Sequence, residues 1–187
     1  MKIAAIIPAR GGSKRLEKKN IYPIWGKPML FWAVQACKQS KYAIDVWVST
    51  EDDEIASVAT SCGAKVIRRD PSLSGDKVYK QAVIRSAAHT IKTVTNPDIY
   101  ISLQANSPEI KSAYLDEAIE TLLKYERDEV FSVDGNLMQN AAFRVFRGDY
   151  VFQQDLSTNC GAFMCPLDDI HSLEDIERLE KLWSESE

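Results

Sequence analysis

The chain alternates between short apolar runs of strand length and longer segments in which apolar residues recur every three or four positions. Such alternation builds a parallel sheet, because each new strand is reached by a right-handed crossover whose helix covers one face. The strand-length runs are 3–7, 44–48, 65–67, 99–103 and 130–133, and the helical patterns are 29–37, 55–62, 83–91 and 115–122. The sequence therefore predicts a three-layer α/β/α fold with a mostly parallel sheet.

The last third of the chain adds two strand-length runs and one well-marked helix. The runs at 143–146 and 161–165 predict later strands that give the sheet an antiparallel component. Ser172 is a suitable N-cap for the final helix, and Asp175 stands three residues further on, as in a capping box. The apolar stripe of this helix is formed by Leu173, Ile176, Leu179, Leu182 and Trp183. A chain of 187 residues with 45% hydrophobic content suits one core and is too short for two full domains, so we expect a single domain over 1–187.

A glycine-rich, basic stretch, residues 8–20 with the sequence PARGGSKRLEKKN, follows the first apolar run directly. Gly11 and Gly12 allow the backbone to turn and to approach a ligand, and successive N–H groups in such a loop can form an anion-binding nest. Its cationic side chains are Arg10, Lys14, Arg15, Lys18 and Lys19, of which Arg15 and Lys18 are expected to be solvated. Open α/β sheets bind ligands where loops leave the carboxyl ends of buried strands. The stretch therefore predicts a polyphosphate site, although it is neither a Walker A loop nor a G-x-G-x-x-G motif.

Charge and hydropathy argue against several other classes of protein. The net charge of −4 gives no general basic field for a nucleic acid. No apolar run approaches the roughly 18 residues that a membrane span needs, and the first apolar run has the length of a strand, not that of a signal peptide. The four cysteines lack disulfide-framework spacing, and Cys160 and Cys165 with His171 match no usual zinc pattern. We expect a cytoplasmic enzyme with neither a nucleic acid nor a membrane partner.

The basic stretch resembles the opening signature of the acylneuraminate cytidylyltransferases, the CMP-sialic acid synthetase-like enzymes that activate sialic-type sugars. Four further segments are similar to motifs of that family: GKPM at 26–29, VSTEDDEI at 48–55, the stretch 69–76 and LQANSP at 103–108. The spellings SKRL and GKPM look most like the pseudaminate branch. The resemblance implies a Rossmann-like sheet of the nucleotide-diphospho-sugar transferase type, CTP and an acidic sugar as substrates, and a chain that can form a homodimer.

The reaction that the resemblance implies is attack by a sugar hydroxyl on the α-phosphorus of CTP, with release of pyrophosphate. Arg10 and Lys19 stand where the family contacts the nucleotide phosphates, and we expect both to be catalytic through charge neutralisation. Asn20 and Arg69 stand where the family contacts the pyrimidine and the ribose. The full nucleotide-binding set implied is Ala9, Arg10, Gly11, Gly12, Ser13, Lys14, Lys19, Asn20, Arg69 and Asp76.

A metal site is implied where the family carries Asp-Ile-Asp before its last helix and this chain has Asp-Ile-His. Asp169 is then the catalytic carboxylate and the first ligand of Mg²⁺, which prefers oxygen ligands. His171 stands at the second ligand position and would face the same way as Asp169 if the segment is extended. Imidazole binds Mg²⁺ poorly and suits Mn²⁺ better, while Asp168 is an alternative carboxylate.

The acceptor-sugar region departs most from the family. Gln104 and Asn106 follow the strand at 99–103 and are expected at the acceptor sugar, but the segment 134–159 is shorter than in the family. An acidic acceptor needs a nearby cation, for which Arg144 and Arg147 are the candidates before the final helix. Three functions stay open: a cytidylyltransferase for a sialic-type sugar, a related nucleotidyltransferase for ketodeoxyoctonate or another sugar, and a nucleotide-binding relative with reduced or lost catalysis.

Overall fold

The computed structural model describes residues 1–154, 157–167 and 169–185. The strands of this part of the chain are β1 (Ile3–Pro8), β2 (Pro23–Ile24), β3 (Lys27–Pro28), β4 (Ile44–Thr50), β5 (Lys65–Arg68), β6 (Ile99–Leu103), β7 (Glu129–Val133), β8 (Gln139–Arg147) and β9 (Cys160–Met164). Its α-helices are α1 (Met29–Lys38), α2 (Asp53–Ser61), α3 (Lys80–Val94), α4 (Ser112–Lys124) and α5 (Leu173–Ser184).

Seven of these strands form one sheet in the order β5-β4-β1-β6-β8-β7-β9, while β2 and β3 form a separate two-stranded ribbon. The pairs of β1 with β4, β1 with β6, β4 with β5 and β7 with β9 are parallel. Strand β8 runs antiparallel to both of its neighbours, β6 and β7. The prediction of a mostly parallel sheet with an antiparallel component is confirmed for the run at 143–146, which lies in β8 and follows β7 after a short turn. It is wrong for the run at 161–165, which lies mostly in β9 and pairs with β7 in parallel.

Helices cover both faces of the sheet, which confirms the predicted three layers. One face carries Ala4 and Ile6 of β1, which pack with Ile84, Ala87 and other apolar residues of α3. The opposite face carries Ile7 and its alternate neighbours on β1, which pack with apolar residues of α1, α2 and α4. Because β1 is buried on both sides, its sequence is a continuous apolar run with no polar alternation. No helix of the described residues combines the length and hydrophobicity that crossing a bilayer requires.

The last helix, α5, packs against Leu16 of the basic stretch and against apolar residues that follow this stretch. Ser172 accepts a hydrogen bond from the Asp175 backbone, and the Asp175 side chain accepts one from the Ser172 backbone, so the predicted capping box is confirmed. Ile176 and Leu179 are buried against a cluster that includes Leu16. The remaining members of the predicted apolar stripe are about half exposed: Leu173 (48%), Leu182 (55%) and Trp183 (42%). The stripe is therefore fully buried only at its centre, while Trp183 stacks on Trp25 with ring centroids 4.7 Å apart.

We expect Ser172→Ala to lower the free energy of unfolding by about 1 kcal/mol, because the first turn of α5 loses its side-chain acceptor. Ser172→Gly is the matched variant and should cost only a few tenths of that, since glycine is itself a tolerated N-cap. Chemical denaturation of the three proteins measures the difference. A Ser172→Ala protein as stable as the wild type would mean that the capping box contributes nothing.

Candidate active site

A cleft of about 520 Å³ opens beyond the carboxyl ends of β1, β5 and β6. Parallel α/β sheets present their ligand sites at this edge, because the loops that leave neighbouring strands converge there. The cleft is lined by Pro8, Arg10, Ser13, Lys14, Arg15, Leu16, Lys19, Asn20, Arg69, Leu73, Gly75, Asp76, Val78, Lys80, Val83, Gln104, Asn106 and His171. Most of the residues that the sequence selects for nucleotide and sugar binding thus meet in one cavity.

The first part of the basic stretch is fixed to the end of β4 by hydrogen bonds. Buried Ala9 donates its backbone N–H to the Ser49 carbonyl at 3.0 Å. Gly11 donates its backbone N–H to Oε1 of Glu51 at 2.9 Å. Asn20 is buried and donates Nδ2 to the Arg10 carbonyl at 2.9 Å, which closes the stretch on itself. These bonds place the stretch at the mouth of the cleft.

The two adjacent glycines differ in the space around them: a side chain would clash at Gly11 but not at Gly12. A Cβ atom on Gly11 would lie 2.4 Å from Oδ2 of Asp52, the residue that caps α2 by accepting a hydrogen bond from the Ile55 backbone. A Cβ atom on Gly12 would meet nothing within 4 Å. Neither glycine has a positive φ, so Gly11 is needed for close approach to the α2 cap and not for a left-handed turn.

Asp76 holds two cations of the basic stretch at the cleft. Arg10 donates Nη1 to Oδ1 of Asp76 at 2.7 Å, and the Lys14 ammonium pairs with the other oxygen of the same carboxylate. Hydrogen bonds from Lys14 and Arg10 lower the pKa of Asp76. Ser13 is partly exposed beside them, and Gly12 is exposed. Arg15 and Lys18 are exposed, which confirms the solvation expected for these two cations. Arg15 also lines the cleft.

Lys19 is the cation of the basic stretch that lies deepest. Burial lowers its pKa, Arg15 and Arg10 lower it further, and the charge of Asp169 acts in the opposite direction. No hydrogen bond or ion pair joins its ammonium to another of the described residues. A lysine that is partly desolvated and lacks an acidic partner favours the binding of an anion, because its field is screened less than that of a surface charge.

Arg69 is the most buried charged residue of the cleft. Its guanidinium donates to the Ser49 carbonyl through Nη2 and to Ser49 Oγ through Nε at 3.3 Å, and Nη1 lies 3.9 Å from Oε2 of Glu51. Burial lowers its pKa. Sequence reasoning missed Glu51 as a site residue, although it belongs to the segment at 48–55. Arg69 therefore both lines the cleft and holds the end of β4.

Asp169 is fixed from the end of β6. Its Oδ2 accepts a hydrogen bond from Nε2 of Gln104 at 3.0 Å, and its Oδ1 accepts one from Oγ of Ser107. Buried Asn106 donates its side-chain Nδ2 to the Ile170 carbonyl at 3.0 Å, and its backbone carbonyl accepts the Ile170 N–H at 2.9 Å. Asn106 thus anchors the chain around Asp169, and Ser107, which sequence reasoning missed, orients its carboxylate.

His171 and Asp169 engage different partners. His171 Nδ1 lies 3.4 Å from Nη2 of Arg15, and its backbone N–H donates to Oδ2 of Asp175 at 2.7 Å. Asp168, the alternative carboxylate, lies outside the described residues. Within the described residues, no group of three or more His, Cys, Asp or Glu side chains is arranged to hold a metal ion.

Lys80 is a further site residue that sequence reasoning missed. It is the first residue of α3, and its side chain lines the cleft. Burial lowers its pKa to about 8, Arg144 lowers it further, and Asp169 acts in the opposite direction. In the sequence it looks like a solvated lysine at the start of a helix, so no local pattern marks it.

The two late arginines expected near the acceptor are absent from the cleft lining. Arg144 pairs with Glu129 through Nε and donates Nη1 to Oε1 of Gln81 at 2.8 Å. Arg147 donates Nε to the Arg127 carbonyl at 3.0 Å and is exposed. Each guanidinium is thus engaged by other parts of the chain.

Comparisons with known proteins agree on one family. Residues 4–182 match the family described as Cytidylyltransferase. N-acylneuraminate cytidylyltransferase A of Danio rerio is 40% identical over 131 residues, which are 70% of this chain and 30% of that protein. Pseudaminic acid cytidylyltransferase of Campylobacter jejuni is 34% identical over 134 residues, 71% of this chain and 58% of that protein. The chain thus spans less than two thirds of the length of these relatives.

Solved structures share the fold at low sequence identity. The CMP:2-keto-3-deoxy-manno-octonic acid synthetase complexed with CTP superposes with a TM-score of 0.80 at 18% identity, over 100% of both chains. A cytidylyltransferase from Leptospira borgpetersenii superposes with a TM-score of 0.76 at 22% identity, over 98% of this chain and 87% of that one.

We expect Gly11→Ala to lower the free energy of unfolding by about 1–3 kcal/mol, the usual cost of overpacking, because its Cβ displaces the Asp52 carboxylate from the start of α2. Gly12→Ala is the matched control and should change stability by less than about 0.5 kcal/mol. Urea denaturation of both variants tests this. Equal stabilities would show that the close approach of Gly11 to Asp52 imposes no constraint.

Proposed function

Because the chain belongs to the cytidylyltransferase family, we propose that it transfers CMP from CTP to an acidic, sialic-type sugar with release of pyrophosphate. The observation that carries this proposal is the composition of the cleft, where Arg10, Lys14 and Lys19 meet the Gln104–Asp169 pair. The first group suits a triphosphate, and the second offers neutral and acidic oxygens to a sugar hydroxyl. Phosphoryl transfer needs this kind of positioning and charge neutralisation more than covalent help.

The basic stretch binds the triphosphate in this proposal. CTP takes over Arg10 and Lys14 from Asp76, since a triphosphate carries more charge than one exposed carboxylate. The planar guanidinium of Arg10 donates two parallel hydrogen bonds to phosphate oxygens, and the Lys19 ammonium supplies a point charge to the leaving pyrophosphate. The backbone N–H of Gly12 adds an uncharged donor, since those of Gly11 and Ser13 already donate to Glu51 and to the Gly11 carbonyl.

The nucleoside lies against Asn20 and Arg69 in this proposal. Both side chains line the cleft, and both already hold backbone carbonyls, which fixes their orientation before CTP arrives. A rigid pair of donors favours one base over another, because a mismatched base leaves buried polar groups without partners.

The acceptor sugar lies beside Gln104. The amide nitrogen of Gln104 is committed to Asp169, and its Oε1 has no donor among the described residues, so it can accept a hydrogen bond from a sugar hydroxyl. Asn106 positions the acceptor indirectly, because it anchors the backbone at Ile170, the residue after Asp169. The rate of in-line attack then depends on how precisely this edge of the sheet positions the sugar hydroxyl.

Asp169 is the residue that would hold Mg²⁺. One carboxylate together with substrate phosphate is an ordinary Mg²⁺ environment, and hydrogen bonds from Gln104 and Ser107 orient this carboxylate. His171 adds a nitrogen that suits Mn²⁺ better than Mg²⁺. The ion, when bound, supplies charge neutralisation at the phosphates.

A second candidate function is nucleotide binding with reduced turnover. Two observations favour it: His171 faces Arg15 where a second carboxylate would be expected, and neither Arg144 nor Arg147 lines the cleft. Turnover with a panel of acidic sugars distinguishes the two candidates. Pyrophosphate release supports the transferase, whereas tight CTP binding without release supports the second candidate.

We expect Arg10→Ala to weaken CTP binding or turnover by about 2–3 kcal/mol, the scale of a charge-assisted contact. Calorimetric titration with CTP and a pyrophosphate-release assay measure the two effects. Arg68→Ala is the matched control, because Arg68 is exposed, pairs with Asp53 and does not line the cleft. Unchanged CTP affinity and turnover in Arg10→Ala would remove Arg10 from the nucleotide site.

Asp169→Asn should abolish pyrophosphate release, because it removes the carboxylate that would hold Mg²⁺. His171→Asp should raise turnover with Mg²⁺ by supplying a second oxygen ligand. Both variants are assayed across Mg²⁺ and Mn²⁺ concentrations, with Glu174→Gln, an exposed position in the first turn of α5, as the control. If the wild type turns over well with Mg²⁺ and His171→Asp is slower, then His171 has a function of its own.

A further inference from the structure

Lys80 stands in a position that its local structure disfavours. It is the first residue of α3, where the positive end of the helix dipole repels a cation. Burial and the nearby charge of Arg144 also act against its protonated form, and its pKa falls to about 8.

The ammonium of Lys80 has no acidic partner among the described residues. Lys18, Lys41 and Lys65 each pair with a carboxylate. The charge of Asp169 reaches Lys80, but the two side chains do not form an ion pair. A partly buried, unpaired cation in a cleft is typical of a group that meets an anionic ligand.

The position of Lys80 at the start of α3 places it toward β6. Its neighbour Gln81 accepts a hydrogen bond from Nη1 of Arg144 at 2.8 Å, and Arg144 pairs in register with Ser102 of β6, the strand that leads to Gln104. The charge of Asp169, the partner of Gln104, reaches both Lys80 and Lys19, whereas Arg10 and Lys14 pair with Asp76. This is the side of the cleft assigned above to the acceptor sugar. Arg144 is engaged by Glu129 and Gln81, so it does not compete for that role.

We propose that Lys80 binds the carboxylate of the acceptor sugar and thereby selects acidic over neutral acceptors. This inference rests on the proposed CMP transfer. An ammonium on a flexible stem suits a carboxylate whose direction is set by the rest of the sugar, since it needs no fixed fork geometry. The acceptor supplies the negative charge that Lys80 lacks as a direct partner in the part of the chain that the structure describes.

The test compares two acceptors and three variants of the full chain. The acceptors are N-acetylneuraminate and its methyl ester, which differ in the charge of the carboxylate. The variants are Lys80→Met, Lys80→Arg and, as matched control, Lys77→Met, because Lys77 is exposed and does not line the cleft. Steady-state kinetics at saturating CTP give kcat and KM for each pair.

The wild type should prefer the acid to the ester by at least about tenfold in kcat/KM, and Lys80→Met should abolish that preference. The loss should fall on the KM of the acid, with the KM for CTP changed less than about twofold. Lys80→Arg should keep part of the preference, and Lys77→Met should match the wild type. The melting temperature of Lys80→Met should equal or exceed that of the wild type, which checks folding.

Three results would overturn the proposal: equal losses for acid and ester in Lys80→Met, a rise confined to the KM for CTP, or a wild type that does not distinguish the two acceptors. Saturation-transfer NMR with N-acetylneuraminate in the presence of CTP decides the case in which the wild type releases no pyrophosphate. CTP-dependent binding of the acid that Lys80→Met loses would support Lys80 as its contact while the transfer reaction fails. No binding to the wild type would overturn the role of Lys80 as well.

Discussion

The Glu51 carboxylate accepts hydrogen bonds from two segments that build the cleft, and a third lies within range of its charge. Its Oε1 receives the Gly11 N–H at 2.9 Å, its Oε2 receives Ser74 Oγ at 2.9 Å, and Nη1 of Arg69 lies 3.9 Å from Oε2. Glu51 follows the last residue of β4, so these contacts tie both loops to a rigid strand of the sheet. The basic stretch has little apolar burial of its own, apart from Ala9 and Leu16. The hydrogen bond from Gly11 to this carboxylate, together with that from Ala9 to the Ser49 carbonyl, therefore fixes the start of the stretch to β4.

A second set of hydrogen bonds gives the other side of the cleft its form. Gln104 and Ser107 hold the Asp169 carboxylate, while Asn106 holds the backbone at Ile170. Ile170 is buried with Ile176 of α5, so the capped helix and the end of β6 support the same segment. Because both oxygens of the Asp169 carboxylate already accept hydrogen bonds, this side chain loses less conformational entropy on binding a ligand than a freely rotating side chain does.

Paired and unpaired charges are distributed unevenly over the cleft. Asp76 pairs with both Arg10 and Lys14 at the mouth, whereas Lys19 and Lys80 lie deeper without acidic partners among the described residues. Burial acts against the charged form of both lysines, which is unfavourable for folding and favourable for binding an anion. The cleft therefore carries positive potential within a chain whose net charge is −4.

Local patterns in the sequence were sufficient to predict the elements and their layering. Apolar runs and helical periodicity predicted the strands, the mostly parallel sheet and the capped last helix, because these depend on neighbours within a few residues. They also placed the basic stretch at the carboxyl end of β1. The remaining site residues were decided by tertiary structure. In the sequence, Lys80, Ser107 and Glu51 look like ordinary polar residues, because only the folded chain brings them next to the rest of the site. The same holds for β8, which lies between β6 and β7 in the sheet, because strand order is set by packing across the whole chain and leaves no local signal.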